Sequence, residues 1–128
     1  MKLLIDTHIW IWALAGSDQL PERFQQILAS HRGEVWLSPI SVWETLVLAR
    51  RGRIDLKPDP VRWVQEGLKR WPIHEAPLNM VVAIRSEEVD LPHRDHADRF
   101  IVATALVYGL NLMTLDERLL SATWLPTV

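Results

Sequence analysis

Lys2-Leu3-Leu4-Ile5-Asp6 and Asn111-Leu112-Met113-Thr114-Leu115-Asp116 are short apolar runs that each end in an acid, at opposite ends of this 128-residue chain. Runs of this length read as buried strands, and an acid at a strand's carboxyl end stands where open α/β sheets form their binding crevices. Between them strand and helix patterns alternate. Residues 34–38 read as a strand, and residues 71–74 as a weaker one. Helices are predicted over residues 7–15, 21–31, 39–51, 78–88 and 98–108, with a short one starting near Asp116. Ser38-Pro39 looks like an N-cap followed by proline at the first helical position, and Gly33, Gly52 and Gly109 look like stops. After the turn Lys57-Pro58-Asp59-Pro60, the residues Val61, Val64 and Leu68 give a further helix an apolar stripe. The alternation predicts the α/β class, a single-domain α/β/α sandwich around a central, mainly parallel sheet of four to five strands, with residues 123–128 as the optional edge strand.

Composition narrows the field. The length suits one domain spanning residues 1–128, and the 48% hydrophobic and 23% charged content is that of a globular chain. With no cysteine, disulfides, thiolate metal sites and cysteine nucleophiles are excluded, and a reducing compartment, the cytoplasm, is the expectation. Asp6 and His8 interrupt a segment that otherwise imitates a secretory signal, and Thr104, Tyr108 and Asn111 break the best candidate for a membrane span. No membrane association is expected. A net charge of −2 means that a nucleic-acid partner must be gripped locally, through groups such as Arg50-Arg51-Gly52-Arg53 with Lys57, Lys69-Arg70, or Arg94 with Arg99. Each of these also reads as an ordinary solvated face.

Asp6, Glu44, Asp98 and Asp116 are the candidate site. Taken singly, each aspartate is explained as a helix cap at the positive end of a helix dipole. Glu44 is not, because its helical neighbours are Ile40, Ser41, Val47 and Leu48, and no lysine or arginine lies within a turn. A buried carboxylate is costly without a partner, and a divalent cation or a distant arginine would supply one. Asp95 and Asp98 are three residues apart, so one can cap the helix while the other faces a site, with Asp98 the stronger candidate ligand. His93 and His96 offer a weaker transition-metal reading, and His8 reads as a pocket wall or cap. The seven tryptophans read mostly as core or interface residues.

In combination these segments resemble the PIN domain, and within it the VapC-like toxins of toxin-antitoxin pairs. The resemblance runs through Leu3-Leu4-Ile5-Asp6-Thr7-His8, Leu37-Ser38-Pro39-Ile40-Ser41-Val42-Trp43-Glu44, His93-Arg94-Asp95-His96-Ala97-Asp98-Arg99-Phe100-Ile101-Val102-Ala103-Thr104-Ala105 and Leu112-Met113-Thr114-Leu115-Asp116. It implies a Mg²⁺- or Mn²⁺-dependent endoribonuclease acting on RNA, usually a homodimer, restrained by a cognate antitoxin. Asp6, Glu44, Asp98 and Asp116 would be its catalytic and metal-holding acids, with Thr114, Asp95 and Arg99 in support. Three other readings fit parts of the pattern: an inert PIN-like module binding RNA or protein, a structure-specific DNA nuclease, and a phosphoacceptor receiver domain. The last needs adjacent acids after the first strand and a lysine after the last, whereas Thr7 follows Asp6 and no lysine occurs beyond Lys69.

Overall fold

The computed structural model describes residues 1–30, 34–92 and 94–128. Four strands, β1 (Leu3–Ile5), β2 (Val35–Leu37), β3 (His74–Glu75) and β4 (Asn111–Met113), form one sheet in the order β3-β2-β1-β4. Every pairing is parallel, with Leu4 opposite Trp36 on one side and opposite Leu112 on the other. Helices α1 (Thr7–Ala15) and α2 (Glu22–Ser30) connect β1 to β2, and α3 (Pro39–Arg50) and α4 (Pro60–Arg70) connect β2 to β3. Helices α5 (Met80–Glu88) and α6 (His96–Tyr108) lead to β4, and α7 (Glu117–Leu120) follows it.

The pleat divides the core in two. Leu3, Ile5, Val35, Leu37 and Met113 pack with Trp10, Phe24 and Val64 on one face, whereas Leu4 and Leu112 pack with Val82, Ile101, Val102 and Leu119 on the other. Because strand side chains alternate faces, three-residue strands suffice to join both layers. The expected α/β/α sandwich with a parallel sheet is what forms.

Local chemistry explains most boundaries. Ser38 caps α3 by accepting from Ile40 N at 3.1 Å, with Pro39 in the first turn as expected. Gly109 ends α6 in the left-handed conformation at φ 65°. Three expectations shift. Residues 123–128 do not form a fifth strand: Thr127 makes one isolated bridge to Leu112, and Pro126, with no N–H, contributes only its carbonyl, to Leu112 N. Strand β3 starts at His74, past Pro72, instead of at Trp71. On α4, Val64 is buried while Val61 and Leu68 are exposed, because the inward face is centred on Val64 and Gly67. The expected end of the second helix at His31, the stop at Gly33, and His93 lie outside the described residues.

The strand order places a switch point between β1 and β4, since the chain leaves β1 toward β2 on one side and returns as β4 on the other. Crevices open at such points, outside the carboxyl ends of the strands.

Candidate active site

Asp6 leaves the end of β1 and caps α1, its Oδ1 accepting from Thr7 N at 2.7 Å. Its Oδ2 accepts from Thr114 Oγ1, also at 2.7 Å, across the switch point. The same Thr114 oxygen accepts from Asp116 N at 3.0 Å, so one buried hydroxyl ties together the ends of β1 and β4. Asp116 caps α7 by accepting from Arg118 N at 2.9 Å.

Helix α6 starts two residues earlier than the sequence predicts, at His96 instead of Asp98. Asp95 is its cap, accepting from Asp98 N at 3.2 Å, which leaves Asp98 in the first turn with its side chain turned into the crevice. Glu44 reaches the crevice from α3, half-buried and flanked by buried Ser41 and Val47. The hydroxyls of Thr7 and Ser41, 2.9 Å apart, join the start of α1 to the turn of α3 preceding Glu44.

These side chains line one cleft of about 390 Å³, with Asp6, Glu44, Asp95, Asp98 and Asp116 supplying carboxylates and His8 and Trp12 forming an aromatic wall. Crowding acids in a half-dry cleft favours their neutral forms. Burial raises Asp98 to about 7, helped by repulsion from Asp95, Asp6 and Asp116 and opposed by Arg118. Burial also raises Asp6, against the hydrogen bonds from Thr114 and Thr7. Glu44 moves up for the same reason, with Asp6 and Asp95 repelling it and a Thr7 hydrogen bond opposing the shift.

Arg118 is the residue that sequence reasoning does not single out. Its Nη2 donates to Asp98 Oδ2 and to Asp116 Oδ2, both at 2.9 Å, and its Nε donates to Asp116 Oδ1 at 3.2 Å. The available signal is slight: an arginine two residues after a strand-ending acid. Arg99, expected near the site, stands elsewhere. It is buried against the end of α5, donating to the carbonyls of Ser86 and Val89 at 2.9 Å and of Leu91 and Glu87 at 3.4 Å.

The PIN domain family model matches residues 3–125. This chain belongs to the PIN domain family. As a PIN domain it is 31% identical over 122 residues to ribonuclease VapC22 of Mycobacterium tuberculosis, covering 93% of this chain and 90% of that one. Its fold matches VapBC2 from Rickettsia felis, solved bound to a promoter DNA fragment, with a TM-score of 0.74 at 14% identity over 100% of this chain and 98% of the other. FitAB, solved bound to the IR36 DNA fragment, matches with a TM-score of 0.71 at 26% identity, over 98% and 93%.

Among the described residues, no three His, Asp or Glu side chains converge closely enough, as placed, to hold one ion directly. The donor set nevertheless fits a hard divalent cation. Its five carboxylates are hard oxygen donors, and Mg²⁺ retains several of its own waters, so only one or two of them need touch it.

Proposed function

We propose that this chain is a Mg²⁺- or Mn²⁺-dependent endoribonuclease that hydrolyses RNA phosphodiester bonds in the Asp6-Glu44-Asp98-Asp116 cleft. The observation that carries the reading is the gathering of four acids from four separate segments at the switch point between β1 and β4. Kinship to a named ribonuclease over nearly the whole chain supports RNA as the substrate.

A divalent cation bound here would supply an activated water and offset the charge of the phosphate and the leaving oxygen. Asp6 and Asp98, buried and fixed by their helix starts, are the residues proposed to hold it, with Asp116 and Glu44 completing the shell through water. Thr114 keeps Asp6 oriented. A carboxylate not in direct contact with the cation, Glu44 by its position on α3, is placed to accept the proton of the attacking water. His8 and Trp12, with ring centroids 5.7 Å apart, offer a surface against which an unpaired base can stack.

Relatives solved as VapBC and FitAB support a cognate antitoxin as the partner of this chain. A second copy is proposed as well, and the exposed Met80, Val81 and Ile84 on α5 form an apolar patch of the kind an interface covers. Among the described residues no helix is long and apolar enough to cross a membrane.

The test exposes purified protein to RNA and to single-stranded DNA of the same sequence, with Mg²⁺, Mn²⁺ or chelator. Cutting of RNA alone, with either metal and never with chelator, is expected. Equal cutting of DNA reassigns the substrate, and cutting in chelator removes the metal from the chemistry.

A further inference from the structure

Arg118 occupies one oxygen of Asp98 and both oxygens of Asp116, all facing the cleft where a cation is proposed to bind. Its Nη2 lies 2.9 Å from Asp98 Oδ2 and 2.9 Å from Asp116 Oδ2, closing the gap between the first turn of α6 and the start of α7. The carboxylates are the fixed partners of this contact and the guanidinium the free-standing one. Asp98's side chain is 9% exposed and Asp116's 25%, whereas that of Arg118 is 53% exposed and rises from a four-residue helix. Its single positive charge faces a cleft lined by five carboxylates, Asp6, Glu44, Asp95, Asp98 and Asp116, so once they ionise the cleft attracts a stronger cation. A guanidinium and a divalent ion cannot share the same carboxylate oxygens without strong mutual repulsion.

We propose that Arg118 is a built-in counter-ion, holding Asp98 and Asp116 together while no divalent cation is bound and leaving them when one binds. The proposal rests on reading the cleft as a cation site and adds a competitor to it. Binding and release of the ion are thereby linked to the swing of one side chain. In the cation-free protein Arg118 relieves repulsion between the acids, and the ion must displace it, so its presence weakens ion affinity. An arginine that instead arranged the carboxylates for the ion, and stayed in place, would strengthen that affinity.

The sign of the effect is therefore the test. Mn²⁺ binding is measured by titration calorimetry on chelator-stripped wild type, Arg118→Ala, Arg118→Lys and Asp98→Asn. Arg118→Ala is expected to bind Mn²⁺ about three- to tenfold more tightly, the range that two half-exposed ion pairs are worth. Arg118→Lys should fall between it and wild type, and Asp98→Asn should lose the site. Melting gives an independent readout. Without ion Arg118→Ala should melt below wild type, and with saturating Mn²⁺ the two should converge. Unchanged or weaker Mn²⁺ binding by Arg118→Ala, while Asp98→Asn still abolishes wild-type binding, overturns the counter-ion role and leaves the cation site standing. No Mn²⁺ binding by either wild type or Arg118→Ala overturns both.

Discussion

Thr114 Oγ1 donates a 2.7 Å hydrogen bond to Asp6 Oδ2, joining residues that are 108 positions apart at the carboxyl ends of adjacent parallel strands. Thr114 is fully buried, so the bond is shielded from water and its loss leaves a buried carboxylate oxygen without its donor. Thr114→Val, which keeps the shape, is expected to cost about 1–3 kcal/mol in urea unfolding. It should also lower RNA cleavage, while Thr114→Ser retains most of both. Wild-type cleavage by Thr114→Val would show that Asp6 needs no such orientation.

Asp98 sets a pH dependence of stability. Its carboxyl is raised from 3.8 to about 7 in the folded chain, so folding favours the protonated form. The resulting stabilisation is fully present below the unfolded value and is lost as pH rises through about 7. Asp6 and Glu44 shift in the same direction. Without divalent ion the protein is therefore expected to melt a few degrees higher at pH 5.5 than at pH 8, and Asp98→Asn should flatten that dependence. Added Mg²⁺ should stabilise most at the higher pH, because the ion needs ionised carboxylates. A wild-type melting profile that rises from pH 5.5 to 8 without metal would contradict this.

Arg99 is expected to be a stability residue. It places its guanidinium among the carbonyls that end α5, where the helix dipole favours a cation. Arg99→Met should cost about 3 kcal/mol in urea unfolding, because those buried carbonyls lose charged donors together. Residual cleavage should track the folded fraction. A fully folded but inactive Arg99→Met would place the side chain in the chemistry instead.

Ser38 positions Glu44 through the start of α3. Ser38→Ala should destabilise by about 1 kcal/mol, the usual worth of an N-cap, and Ser38→Asp should restore most of it. Thermal melting distinguishes the two.

Much of the site was legible because its elements carry local signals. The apolar runs before Asp6 and Asp116, and the Ser38-Pro39 start of α3, each fix an element by period or cap without reference to the rest of the fold. Glu44 was legible as a carboxylate on a strip of apolar neighbours, and it is half-buried there. Tertiary relations were harder to read. Arg99 follows Asp98 directly, yet one residue turns a helix by about 100°, so Asp98 faces the cleft and Arg99 faces α5. A basic partner of Asp98 and Asp116 is Arg118, whose bond to Asp98 spans 20 positions and leaves no periodic trace. The α4 stripe failed for a related reason: spacing marks a face, but packing against Leu14 near Gly67 decides which face turns inward.

The most direct test of the central claim is cleavage of one defined single-stranded RNA by wild type and by Asp98→Asn, stripped with chelator and then resupplied with Mg²⁺. Wild type is predicted to be silent when stripped and to cut on Mg²⁺ addition, while a folded Asp98→Asn stays silent in both. Mg²⁺-dependent cutting by Asp98→Asn at the wild-type rate would contradict the assignment of this cleft as the site of hydrolysis.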